Sequence, residues 1–116
     1  MSKFRMIIMK ISVFLDDYRT CPPEHHLATD IDECIHFLEN FHIEHLSLDH
    51  DLVSKERNGF MLVQHMVAEN LFADRITIHS ANAVGGKAMF DYLKKAQRNF
   101  EMPTGIKIIH RPMPLR

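Results

Sequence analysis

The sequence has few cysteines and no long apolar run, and each shortage excludes a class of protein. Cys21 and Cys34 are the two cysteines among 116 residues, and they show no metal-ligand spacing. Because neither needs to be oxidised, we expect a reducing, cytoplasmic setting. No stretch approaches the ~20 apolar residues of a transmembrane helix, so we expect a soluble protein with no membrane partner.

Basic charge is also in short supply. The chain carries 14 Lys and Arg against 15 Asp and Glu, which gives a formal net charge of -1. Proteins that bind duplex DNA normally have a basic excess, so we predict no duplex DNA partner and at most local contact with nucleic acid. The length and the 46% hydrophobic content fit one globular domain, with a core over about residues 6–111 and a tail over residues 112–116.

Apolar runs alternate with helical patterns along the chain. Nearly continuous apolar runs predict strands over about residues 6–15, 43–48, 75–79 and 106–110, with a short edge strand over residues 25–28. Helical spacing of apolar residues predicts helices from a cap at Thr29 or Asp30 to about residue 40, and over about residues 60–70 and 83–100. This alternation predicts an α/β fold, a three-layer α/β/α sandwich with a mainly parallel sheet of four or five strands.

Polar side chains follow three of the predicted strands at the points where these strands end. Ligands of parallel sheets bind at the carboxyl ends of strands near a switch in strand order, so we expect these side chains to gather in one crevice. Crowded carboxylates usually hold a cation or have perturbed pKa values. Solvated turns, helix caps and a structural histidine are the simpler interpretations. The residues are Asp16 and Asp17 after the first strand, Asp49, His50 and Asp51 after the central strand, and His79, Ser80 and Asn82 after the next.

The order of the acidic pair, the central aspartate and the later hydroxyl resembles the order of these groups in the receiver domains of response regulators, and so does their place after the strands. Receiver domains have a flavodoxin-like fold. In that family the acidic pair and the central aspartate bind magnesium, the aspartate accepts a phosphoryl group, and the hydroxyl contacts it. A signalling receiver also carries a lysine after its last strand, whereas this chain has His110 and Arg111, so the resemblance to a signalling switch is incomplete. The matching residues are Asp16, Asp17, Asp49 and Ser80.

Four segments resemble a narrower group, the cyclic-phosphate processing receiver-like domains. They cover residues 15–19, 46–52, 58–60 and 78–85, and the resemblance spans about residues 11–92. It implies an enzyme that processes a cyclic phosphate at an RNA end, as in RNA repair, or on a nucleotide. A plain receiver does not require His50, Asp51, His79 and Asn82, and these additions favour chemistry on a bound phosphate.

A mechanism for such chemistry assigns three roles within the predicted crevice. Mg²⁺ or a similar divalent cation would neutralise the carboxylates, and the phosphate would meet the N-terminus of the last helix. A histidine that titrates near neutral pH would be the general acid or base, and Asp49 is alternatively a covalent phosphoryl acceptor. The predicted metal ligands are Asp16, Asp17, Asp49 and Asp51, the predicted phosphate-binding residues are Ser80, Asn82, Gly85 and Arg111, and the predicted acid or base is His79 or His50.

Two other interpretations of the sequence are open. One is a receiver-like signalling or binding module that is phosphorylated, or that docks a partner, without catalysis. The other is a topoisomerase-primase-like α/β domain, in which Asp49 and Asp51 would be the metal pair. That fold requires a glutamate after its first strand, and the Asp16-Asp17 pair fits this requirement poorly.

Overall fold

The computed structural model describes residues 10–53 and 56–113, which form five strands and three helices. The predicted start of the first strand, over residues 6–9, and the end of the predicted tail lie outside the described residues. None of the described helices is long and apolar enough to cross a membrane. The strands are β1 (Lys10–Leu15), β2 (His26–Ala28), β3 (His42–Leu48), β4 (Ala73–Ile78) and β5 (Lys107–His110), and the helices are α1 (Ile31–Asn40), α2 (Gly59–Glu69) and α3 (Ala83–Arg98).

The five strands form one sheet in the order β2-β1-β3-β4-β5, and every neighbouring pair is parallel. The chain moves from β1 to one edge of the sheet and then returns past β1 to β3. The switch in strand order therefore lies between β1 and β3. This architecture confirms the predicted receiver-like α/β fold with its parallel sheet, and the predicted edge strand is present as β2.

The three helices lie on one face of the sheet. Each helix joins two parallel strands, and all three connections step in the same direction across the sheet, so right-handed crossovers place them on the same side. Their buried side chains confirm this placement, because Cys34, Leu62 and Leu93 belong to one apolar cluster with Leu46 and Ile76 of the central strands. Burial of this cluster is the main contribution to the stability of the fold.

The opposite face of the sheet, here called the second face, is formed by the alternate residues of the same strands. Phe14, Ser47 and Thr77 lie on it, and Phe14 is buried without belonging to the helix-side cluster. In the described part of the chain no helix packs against this face, so the second helical layer of the predicted sandwich is not seen there. The connection between β1 and β2, residues 16–25, contains no helix and contributes to the covering of this face.

Side-chain caps determine where the helices begin. The Asp30 carboxylate accepts a hydrogen bond from the Glu33 N–H at 2.8 Å, and the Glu33 carboxylate accepts one from the Thr29 N–H at 2.7 Å. The Glu33 carboxylate therefore bonds the residue before the cap, whereas in a strict capping box it would bond the N–H of the cap residue itself. Asn58 and Asn82 cap α2 and α3 in the same position, each through its side-chain oxygen. Each of these caps satisfies one of the backbone N–H groups that lack a partner at a helix start.

Gly59 holds the first turn of α2 against the end of β3. Its N–H donates to the His50 carbonyl at 2.9 Å. A Cβ atom at this position would lie 2.2 Å from the Asp49 carbonyl oxygen and 2.8 Å from the Met89 Cε. Since a carbonyl oxygen of the main chain cannot yield as a flexible side chain can, only glycine fits here.

Gly59→Ala should therefore lower the free energy of unfolding by about 1–3 kcal/mol, because the methyl group forces α2 away from the strand end. Gly105→Ala is the matched control, since no described residue other than its chain neighbours has an atom within 4 Å of the added methyl group, and we expect a change below about 0.5 kcal/mol. Urea unfolding followed by circular dichroism measures both changes. Equal stability of the two variants would contradict the close approach at Gly59.

Candidate functional site

The carboxyl ends of the three central strands bring together two aspartates and a histidine. The Asp49 N–H donates to the Leu15 carbonyl at 3.1 Å, and the His79 N–H donates to the Leu48 carbonyl at 2.9 Å, so the strand ends are held level. Asp16, Asp49 and His79 are all buried, and one ligand atom of each lies within 4.8 Å of the other two. These three residues form a group that could hold a metal ion.

Arg19 supplies positive charge between the two aspartates. Its Nη1 atom lies 2.8 Å from the Asp16 Oδ2 and 3.4 Å from the Asp49 Oδ2, and its side chain is 8% exposed. Its Nη2 atom donates to the Met113 carbonyl. Sequence reasoning missed this residue, although two carboxylates buried together require a counter-charge, and an arginine three residues after Asp16 was a signal for it.

The two carboxyl groups respond in opposite ways to their surroundings. Burial alone would raise the pKa of Asp16, but hydrogen bonds from His79, Arg19 and the Tyr18 N–H outweigh it and hold that pKa well below 3.8. Burial raises the pKa of Asp49, and the charge of Asp16 adds to this effect. A hydrogen bond from the Ser80 hydroxyl and the charges of His79 and Arg19 oppose it without reversing it.

His79 is fully buried and uses both ring nitrogens. Its Nε2 lies 2.9 Å from the Asp16 Oδ2 and its Nδ1 lies 2.7 Å from the Ser47 Oγ, while the ring stacks on Phe14 with centroids 4.5 Å apart. An ionised Asp16 can only accept, so Nε2 carries a proton and donates to it, while Nδ1 shares a hydrogen bond with the Ser47 hydroxyl. This geometry orients Asp16 and leaves no ring nitrogen for a ligand. The role of His79 as general acid or base stays a prediction, and Ser47 is a member of the network that sequence reasoning did not identify.

A second network covers the start of α3. The His50 Nδ1 lies 2.6 Å from the Asp51 Oδ1, and the Asn82 Nδ2 donates to the same oxygen at 3.0 Å. The Asn82 Oδ1 accepts from the Gly85 N–H at 2.8 Å. A Cβ atom on Gly85 would lie 2.5 Å from the His50 ring, so the imidazole rests against the helix start. The structure thus brings His50, Asp51, Asn82 and Gly85 together, as predicted, but Asn82 already caps the helix.

One cavity of about 450 Å³, here called the carboxylate cavity, opens beside the buried group. Asp17, Asp49 and Asp51 all line it, so these predicted metal ligands share one space although Asp17 and Asp51 are not part of the buried group. The Asp17 carboxylate also accepts the Val53 N–H. Arg111 lies elsewhere, because its side chain lines a separate cavity on the second face. The other predicted phosphate-binding residues, Ser80, Asn82 and Gly85, are not among the described residues that line either cavity, so the predicted set does not share one binding space.

Comparison with known proteins identifies the relatives of the chain. A family model described as the cyclic-phosphate processing receiver domain matches residues 11–95, which is most of the chain. No curated protein and no solved structure matches. The matched region contains β1 to β4 and all three helices up to residue 95, so it includes the buried group and the carboxylate cavity. The resemblance that the sequence motifs indicated is confirmed.

Asp16→Asn should lower the free energy of unfolding at pH 7 in EDTA by about 3 kcal/mol, because His79 and Arg19 lose a charged partner. Asp49→Asn, the matched control, should leave it unchanged or raise it by up to ~1 kcal/mol, because it removes a charge whose burial is unfavourable. Since Asp16 contributes stability above its unfolded pKa near 3.8, the difference between wild type and Asp16→Asn should shrink as the pH falls below 4. Urea unfolding at several pH values measures these effects, and a larger loss for Asp49→Asn would contradict the assignment.

Proposed function

Because the chain belongs to the cyclic-phosphate processing receiver domain family, we propose that it binds a cyclic phosphate in the carboxylate cavity and opens its ring with the help of a divalent cation. The observation that carries this proposal is the buried group of Asp16, Asp49 and His79 at the switch point of the sheet. In folds with a parallel sheet, ligands usually bind at the point where the strand order reverses, and acidic groups gathered there often take part in binding or catalysis.

The donor set fits a divalent cation. Asp16 and Asp49 offer carboxylate oxygens, which suit Mg²⁺, and Asp17 and Asp51 reach the same space from the cavity wall. A bound cation of this kind stabilises negative charge that develops on phosphate oxygens. The single positive charge of Arg19 already contacts both buried carboxylates, so a cation would compete with its guanidinium for them.

Arg19 also supplies a donor for the substrate phosphate. Its Nε atom is buried and has no hydrogen-bond partner among the described residues, and its side chain lines the carboxylate cavity. A buried N–H without a partner is costly, and a phosphate oxygen is a strong acceptor for a guanidinium. A phosphate in this position would lie next to Asp49. We therefore assign the phosphate contact to Arg19 in place of Arg111.

His50 is the better placed of the two predicted acid–base histidines. Its side chain is 18% exposed, and its two neighbours in the sequence, Asp49 and Asp51, both line the carboxylate cavity. The bond from Nδ1 to Asp51 orients the ring. In the proposed reaction His50 accepts a proton from the attacking water as the new P–O bond forms. One P–O bond of the ring breaks, and His50 returns the proton to that oxygen, which gives a phosphate monoester and a hydroxyl group.

The walls of the carboxylate cavity favour a nucleotide or an RNA terminus as the source of the cyclic phosphate. Tyr18 and Val53 line the cavity and are 73% and 80% exposed. An exposed aromatic ring beside a phosphate site is a stacking surface for a nucleobase. The free state of Cys21 and Cys34 agrees with a reducing, cytoplasmic setting for such an RNA-repair reaction.

The wild-type protein with Mg²⁺ should convert a 2′,3′-cyclic nucleotide to a monophosphate, and EDTA should abolish the turnover. His50→Gln should lower kcat about 100-fold with little change in KM, because the binding groups stay in place. His36→Gln, on the exposed side of α1, is the matched control. Chromatography of the products measures the rate. Absence of product from the wild type, or equal rates for His50→Gln and His36→Gln, would refute the proposal.

A phospho-accepting module without catalysis is the second candidate function. It is favoured by the Ser80 hydroxyl, which acts on the Asp49 carboxyl group and opposes the rise of its pKa, as a receiver hydroxyl beside the aspartate would. The residues after β5 argue against this function. A signalling receiver has a lysine there that contacts the phosphoryl group, whereas Arg111 of this chain lines the cavity on the second face.

If this module operates, acetyl phosphate with Mg²⁺ should label the wild type with phosphate that alkali or hydroxylamine removes, and Asp49→Asn should lose the label. Asp51→Asn is the matched control, because its carboxylate lines the same cavity but does not occupy the receiver position. Intact-protein mass spectrometry measures the added phosphate. No label on the wild type, or equal labelling of Asp49→Asn, would exclude Asp49 as the acceptor.

A further inference from the structure

The second face of the sheet carries a cavity that the proposed ring opening does not use. Its volume is about 200 Å³, and strand residues that alternate away from the helix-side core form its floor. The connection between β1 and β2 and the segment after β5 form its sides. Its polar side chains are Arg75, Arg111, His25, His45, His79, Ser47 and Thr77.

The second-face cavity is lined, in the described part of the chain, by positive charge without negative charge. Two arginines line it, and none of the described residues on its wall is an aspartate or a glutamate. Arg75 and Arg111 also form no salt bridge with any carboxylate in residues 10–53 and 56–113. Lys107 is the register partner of Arg75 on β5 and points to the same face. Positive charge without acidic partners around a concave surface attracts an anion.

The polar wall of the cavity is held in place before any ligand binds. The His25 Nδ1 lies 3.0 Å from the Pro23 carbonyl, which can only accept, so Nδ1 donates. The His25 Nε2 lies 3.0 Å from the His45 Nδ1, and the His45 Nε2 lies 2.8 Å from the Thr77 Oγ1. This chain of hydrogen bonds fixes both imidazoles. The two arginines remain as the donors available to a ligand.

The titration of His45 agrees with a positive potential in this cavity. Burial, followed by the charges of Arg75, His25, His79 and Arg111, lowers the pKa of His45 from 6.5 to about 4. The imidazole therefore stays neutral at pH 7, because a positive charge there would meet other positive charges. An anion would relieve this repulsion.

We propose that the second-face cavity is a phosphate-binding site in which the guanidinium groups of Arg75 and Arg111 hold the phosphate oxygens. Guanidinium groups pair with phosphate in a planar, often bidentate geometry. A cation is a poorer ligand for this cavity, because none of the described residues that line it carries a carboxylate. The volume lies below the ~300 Å³ at which pockets for drug-sized ligands begin, so a phosphate group with a small substituent fits and a large ligand does not. The site uses neither a metal nor Asp49, so it stands independently of the proposed ring opening.

Titration calorimetry of the metal-free protein in EDTA tests this site with two probes, inorganic phosphate and ribose 5-phosphate. The wild type should bind at least one of them, and Arg75→Gln and Arg111→Gln should each weaken binding roughly tenfold. Arg98→Gln, in the exposed last turn of α3, is the matched control and should bind as the wild type does. Equal affinity for both probes would show that the site recognises the phosphate group alone. Tighter binding of ribose 5-phosphate would show that the site also contacts the sugar.

A second measurement locates the probe and does not depend on the variants folding. In wild-type NMR spectra, phosphate should shift the resonances of His45 and Thr77, and Asp49→Asn should keep the affinity of the wild type. No binding at about 10 mM of either probe would overturn the proposal. It would also be overturned if Arg98→Gln weakened binding as much as Arg75→Gln, or if Asp49→Asn abolished it, which would place the anion in the carboxylate cavity.

Discussion

Two carboxylates buried side by side, Asp16 and Asp49, are the constraint on which the rest of the site depends. The parallel strands β1 and β3 place them there, since their carboxyl ends are hydrogen-bonded at the same level. Without positive charge the pair would repel, so the loop after β1 folds back to insert Arg19 between them. The same guanidinium contacts the segment after β5, so the charge balance of the site also anchors the end of the described chain.

The strand order explains why the carboxylate cavity and the second-face cavity lie in different parts of the molecule. Because all helical connections step in one direction, the helices cover one face, and the second face is closed partly by loops. The buried ring of His79 lies between the two cavities. Its Nε2 bonds Asp16 beside the carboxylate cavity, and its Nδ1 bonds Ser47, which lines the second-face cavity. A change of hydrogen bonding on one side therefore has a direct physical route to the other.

Much of the fold and part of the site followed from local patterns. Apolar runs and caps predicted all five strands and all three helices, and the polar strand ends predicted that Asp16 and Asp49 meet. The same reasoning did not find Arg19 or Ser47, because a single arginine in a loop and a serine inside a strand carry no periodic signal. Arg111 was grouped with the helix start because it follows β5, yet its side chain turns to the second face.

By itself, the sequence determined the alternation of strands and helices, the family, and the set of acidic residues at the strand ends, because these depend on residue types and on spacing along the chain. Only the tertiary structure decided which residue neutralises that acid pair, that His79 is sealed from solvent, and that a basic cavity forms on the second face. Those outcomes depend on burial and on distances between residues remote in sequence, such as Arg19 and Met113, and no local pattern specifies them.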